Sequence, residues 1–145
     1  MEIIEIIGFS PNSEVSVKLP LFIGSVSAGI PNPVDSDVEA EIDLNEYLVE
    51  HPTATFFVRV SGLNLEFSGI ADGDLLIVDT SVEPKDGKFV VAILKNHLTI
   101  KMYRVIDGEI FLESHNHQFI PLKIEPYIEY SILGTITKII HNLWK

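Results

Sequence analysis

A lysine and several serines have the clearest capacity for chemistry in this chain. Lys101 sits within Leu98-Thr99-Ile100-Lys101-Met102, and Ser61 and Ser68 bracket the loop Gly62-Leu63-Asn64-Leu65. A hydroxyl becomes a nucleophile when a neighbouring base removes its proton. A lysine can be that base once burial lowers its pKa and leaves a neutral amine. Periodicity alone puts Lys101 on the solvated face of an alternating strand, and Asn64 in a loop that tolerates unusual backbone angles. Ala28-Gly29 lies in a run of small residues ending in Pro31-Asn32-Pro33, which by composition is a flexible linker. His115 and His117 alternate around Asn116, while His51, His97 and His141 are scattered. None has an acidic partner at fixed helical spacing, so surface histidines and no metal site are expected. Nothing in the sequence calls for a cofactor.

The elements that must position these residues belong to one domain's worth of chain, 145 residues with a hydrophobic fraction of 46%. The formal net charge of -11 repels phosphate backbones, and no Lys or Arg cluster offsets it, so direct nucleic-acid binding is disfavoured. Zero cysteines exclude disulfides and thiolate metal sites and fit a reducing cytoplasm. The opening MEIIEIIGF is too short and too acidic for a signal peptide or a membrane span. A cytoplasmic protein with no membrane contact is expected.

Residues 1 to 9 read as an edge strand that Ser10-Pro11-Asn12-Ser13 terminates, and Lys18 to Ile23 is a short apolar run. Asp43-Leu44-Asn45-Glu46 fits a capping box opening a short helix through about Glu50, which His51-Pro52 stops. Beyond Thr53 the pattern is almost all β. Runs at 55–60, 75–78, 88–94, 97–106, 109–113, 122–124 and 130–143 are separated by turn signals that include Lys95-Asn96 and Asp107-Gly108. This argues a mainly β domain, with residues 1–40 as a flexible N-terminal arm and 41–145 as the folded domain.

The stretch Phe56 to Asp79, FFVRVSGLNLEFSGIADGDLLIVD, sets two apolar strands about a loop that leads into Gly69-Ile70-Ala71-Asp72-Gly73-Asp74. It resembles the nucleophile segment of the LexA/UmuD family of self-cleaving serine peptidases, and the likeness runs from about Leu19 to Trp144. The resemblance implies a LexA/signal-peptidase-like β domain of the β-clip type. It also makes Lys101 the general-base position and Ala28-Gly29, followed by Ile30-Pro31, the cleavage-site candidate. Nothing before Leu19 has the length or helical period of a DNA-binding helix-turn-helix, which favours the UmuD branch. For that branch the family implies a homodimer that answers to a RecA filament and joins an error-prone DNA polymerase subunit in the SOS response and translesion synthesis.

The departure from the pattern is at the nucleophile. Where the family usually has Gly-Asp-Ser-Met, this chain has Gly62-Leu63-Asn64-Leu65, so Asn64 occupies the serine position. The lone pair of a carboxamide nitrogen is delocalised into its carbonyl, so Lys101 cannot make Asn64 an attacking group as it would a hydroxyl. The expectation is a degenerate autopeptidase acting as an accessory protein. The alternatives are an active Ser-Lys autoprotease that cuts Ala28-Gly29 with a displaced serine, Ser61 or Ser68, and a regulatory dimerisation partner or repressor-like module without a DNA-binding domain.

Overall fold

The computed structural model describes residues 2–8, 18–22, 38–61, 69–114, 122–125 and 130–144. The chain divides into two compact units, one made of 1–10 and 51–145, the other of 11–50.

In the smaller unit, β2 (Lys18–Phe22) pairs antiparallel with β3 (Val38–Asp43), and β3 runs directly into the one α-helix among the described residues, α1 (Leu44–Leu48). Asp43 caps α1, its carboxylate accepting from the Asn45 N–H at 2.9 Å. The helix ends at Leu48, short of the expected Glu50. Val49 is already extended, and the His51-Pro52 pair that follows disfavours further helical turns.

The larger unit is one antiparallel sheet of eight strands in the order β1-β4-β5-β10-β6-β7-β8-β9. Its strands are β1 (Glu2–Gly8), β4 (Thr55–Ser61), β5 (Leu75–Asp79), β6 (Lys88–Leu94), β7 (His97–Ile106), β8 (Glu109–Glu113), β9 (Leu122–Lys123) and β10 (Tyr130–Ile140). The mainly β expectation therefore holds, and β1 lies at a sheet edge, as its sequence suggested. A 3-10 turn, Pro52–Ala54, leads into β4. Two tight turns fix the register of the C-terminal hairpins. Lys95 and Asn96 join β6 to β7, Asp107 and Gly108 join β7 to β8, and all four have positive φ, as two-residue hairpin loops require.

Strand alternation sorts the apolar side chains of the sheet into two clusters. Val91 of β6 and Ile100 of β7 join Val58, Val60, Ile70, Leu76 and Val78. Their neighbours Val90 and Ala92 point the other way and join Leu112, with Leu94, Tyr103, Ile124 and Ile132 packed against them. The near-continuous apolar run of β6 is thus explained by burial on both faces.

Strand β10 closes the sheet by lying between β5 and β6. It ends at Ile140, short of the expected Leu143, because Ile140 already pairs with Leu75, the first residue of β5. Its close approach to β5 depends on Gly134. A Cβ there would meet Val78 Cγ1 at 2.7 Å and the Asp79 carbonyl oxygen at 3.1 Å, and Val78 is fully buried. Gly134→Ala is therefore expected to destabilise the domain by about 1–3 kcal/mol, the usual cost of overpacking a close-packed interior. Urea unfolding of the two chains measures it, and an unchanged midpoint would show that β10 can yield.

Candidate functional site

Of the residues singled out in the sequence, Lys101 is the one whose surroundings the structure defines. Asn64, Ala28 and Gly29 lie outside the described residues, as does Ser68. Ser61, the last residue of β4, pairs with Glu2 at the far edge of the sheet.

Lys101 is half-buried in the middle of β7, directly opposite Val90 of β6. Residues opposite one another in a sheet share a face, so Lys101 projects on the side of the Val90, Ala92 and Leu112 cluster, not into solvent beside Ile100. Tyr103, two residues along β7 on the same face, packs against that cluster. Its phenol is pushed above its ordinary pKa, first by burial and then by the nearby Tyr130 and Glu83. This side of β7 is therefore a place where charge is poorly solvated. Lys101 is partly covered there, neither fully solvated nor enclosed.

The partner of Lys101 is a serine the sequence reading did not weigh. Lys101 Nζ donates a hydrogen bond to Ser114 Oγ. The β7–β8 ladder makes this contact follow from register. Ile106 pairs with Glu109 across the turn, and the pairing runs back to Met102 opposite Glu113. One step further along both strands brings Lys101 opposite Ser114. An amine and a hydroxyl in hydrogen-bond contact on an apolar face are the two components of a base-activated nucleophile.

Two further charged pairs flank β5. Asp79, 3% exposed, receives His51 Nδ1 at 2.5 Å, together with the Ser81 hydroxyl at 2.6 Å and the Ser81 N–H at 2.8 Å. Burial by itself would raise the carboxyl, but the bonds from Ser81 and His51 outweigh it and hold Asp79 below the usual carboxylate range. At the other end, Asp74 accepts the Ala71 N–H at 2.7 Å and meets His141 Nδ1 at 2.5 Å. His51 and His141 were expected to be plain surface histidines. Both are exposed, and each also directs Nδ1 at a buried carboxylate. No local spacing signals these pairs, because their partners lie 28 and 67 residues apart in the chain. His115 and His117 are outside the described residues.

A cavity of about 420 Å³ opens beside the β8–β9 edge, lined by residues that include Glu109, Ile124, Glu125 and Tyr130. Its one lysine, Lys123, bonds Glu109 at 3.1 Å and Glu125 at 3.2 Å, which satisfies its charge locally. Neither Lys101 nor Ser114 lines it. Among the described residues there is no group of three or more His, Cys, Asp or Glu side chains placed to hold a metal ion. No helix among them is long and apolar enough to cross a membrane.

The sequence matches the model of the Peptidase S24-like family over residues 20–137. It is 43% identical over 84 residues to Protein MucA of Salmonella typhimurium, a match that spans 58% of each chain. To Protein ImpA of Salmonella typhimurium it is 35% identical over 134 residues, which cover 91% of this chain and 90% of the relative. It is also 34% identical over 122 residues to the LexA repressor of Ectopseudomonas mendocina, over 84% of this chain and 59% of the repressor.

The depressed carboxyl of Asp79 sets an acid limit on stability. A group whose folded pKa lies below its unfolded value stabilises the fold above the unfolded pKa and loses that contribution as pH falls through the folded one. Asp79→Asn is expected to lower stability by about 1–3 kcal/mol at neutral pH, because the hydrogen-bond donors around it lose their charged acceptor. The difference from the parent chain should shrink as pH drops below the ordinary carboxyl value of 3.8. Urea unfolding of both chains across that range reads it directly.

Proposed function

Because the chain belongs to the Peptidase S24-like family, that of the LexA/UmuD proteins, we propose that it is a UmuD-like accessory protein of the SOS response and translesion DNA synthesis whose own serine-based self-cleavage has been lost. The observation that carries the reading is Asn64 at the family's nucleophile position, in a chain that keeps Lys101 at the base position. A carboxamide offers no hydroxyl to deprotonate, so the usual Ser-Lys attack on Ala28-Gly29 has no nucleophile. Leu63 and Leu65 have replaced the neighbouring residues as well, which speaks for a loop that has taken another course and against a single substitution.

The accessory role draws on the near full-length similarity to ImpA. In this reading residues 1–40 act as the arm and 41–145 as the peptidase-fold domain. The protein forms a cytoplasmic homodimer, its arm stays attached, and its partner is an error-prone DNA polymerase subunit. The net charge of -11 fits a protein that reaches DNA through such a partner and makes no contact with the phosphates itself. A RecA filament then acts on it as a binding platform and does not trigger cutting.

The test is incubation of the full chain with an activated RecA filament, and separately at alkaline pH, followed by intact-mass spectrometry. The chain is expected to remain uncut under both conditions. A break after Ala28 would overturn the loss of self-cleavage. Recovery of a repressor in place of a polymerase subunit on co-purification would overturn the accessory role.

A further inference from the structure

We propose that Ser114, activated by Lys101, is a nucleophile in this chain, and that the pair forms a Ser-Lys dyad reactive toward acyl donors such as esters and exposed peptide carbonyls. The proposal shares with the preceding reading Lys101 as the base and the absence of a hydroxyl at position 64. Each is read by its own measurement, cleavage after Ala28 for one and covalent capture of Ser114 for the other.

Three observations converge on the pair. Lys101 Nζ and Ser114 Oγ are in direct hydrogen-bond contact. The β7–β8 ladder brings the two residues close, since its register runs unbroken from Ile106 opposite Glu109 to Met102 opposite Glu113, the chain neighbours of Lys101 and Ser114. Lys101 is held on a paired strand, and Ser114 follows directly on the end of β8. Finally, the pair stands on the face that carries the buried Val90 and Leu112. Both residues remain only half-buried, so the hydroxyl is within reach of a ligand.

The chemistry closes without a further reagent. With Lys101 neutral, the hydrogen bond reverses and the Ser114 hydroxyl donates to Nζ. As Oγ forms its bond to the carbonyl carbon, the proton passes to Lys101. The C–N or C–O bond of the donor then breaks, and the lysine ammonium returns that proton to the departing amine or alcohol, leaving an ester on Ser114. A water, deprotonated by the same amine, attacks the ester carbon, and the acid is released with Ser114 restored.

The full chain is treated with a fluorophosphonate probe between about pH 7 and about pH 10, the span over which a lysine approaches neutrality, and the labelled peptide is mapped by mass spectrometry. In this reaction Oγ bonds to phosphorus, fluoride leaves and Lys101 takes the proton. Labelling is expected at Ser114, rising with pH and abolished in Ser114→Ala. It is expected to fall by about 100-fold or more in both Lys101→Met and Lys101→Arg, the latter keeping the charge but not a removable proton in this range. Unfolding midpoints taken on the same samples identify any variant that fails to fold, and Lys101→Arg guards against loss of packing in Lys101→Met. Absence of label from Ser114, or labelling there that persists in folded Lys101→Arg, would overturn the proposal.

Discussion

The sheet depends on one missing side chain. Strand β10 is the last of the described strands in chain order, yet it lies between β5 and β6 and hydrogen-bonds the β1-β4-β5 half of the sheet to the β6-β7-β8-β9 half. It fits there because residue 134 is glycine and the Val78 methyl group fills the space a Cβ would need. The register on both sides of β10 shifts by one residue, between Ile132 and Gly134 against β6 and between Ile136 and Lys138 against β5. Such bulges sharpen the local twist, which a strand serving two partners at once requires. Thr135 sits where the two halves join, opposite both Asp79 and Val90. The row Thr55, Asp79, Thr135, Val90 and Lys101 therefore crosses the sheet on one face, and a displaced β10 would move the base position with it.

That face explains why the same lysine can be read in two ways. An alternating strand has one buried and one solvated side only when a single face of the sheet is covered. Val90, Val91 and Ala92 are consecutive and all fully buried, so β6 has no solvated side at its centre, while in β7 beside it Ile100 is buried and Lys101 half-buried. Periodicity in β7 alone shows none of this. The information is in β6, whose unbroken apolar run Phe89 to Leu94 marks burial on both faces. The Lys101–Ser114 contact was likewise legible in principle. Asp107-Gly108 is a recognisable two-residue turn, and counting outward from it reaches Met102 opposite Glu113, the chain neighbours of Lys101 and Ser114.

The parts that were not legible are those joined across the chain. The strands beyond Thr53 and the cap at Asp43 follow from local composition, because β-branched runs, positive-φ turns and an Asp N-cap act over a few residues. The His51–Asp79 and His141–Asp74 pairs follow from the placement of β5 beside β4 and β10, which no local rule provides. Asp74 and Asp79 bound β5 at its two ends and are nearly fully buried. A carboxylate enters such a site only with donors waiting, and here the donors come from the turn at Ala71, from Ser81 and from the two histidines. Their role is thus to let β5 end in charge at both tips while its Leu76, Ile77 and Val78 remain in the core.

The hydrogen bond between Lys101 and Ser114 is the point at which structure and chemistry meet. A lysine on an apolar face loses hydration, and the same site filled by an apolar residue of similar volume would avoid that loss. Its hydrogen bond to Ser114 offsets part of the cost, since a charged donor bonded to a hydroxyl recovers about 1.5–3 kcal/mol of what water supplied. The compensation has a consequence of its own. The bond that makes the buried ammonium tolerable also places a hydroxyl against the amine once the proton is gone. With the proton gone, the hydroxyl becomes the donor. The energetic account of why Lys101 is tolerated and the chemical account of what it can activate therefore rest on one contact, and the register of β7 and β8 fixes it for both.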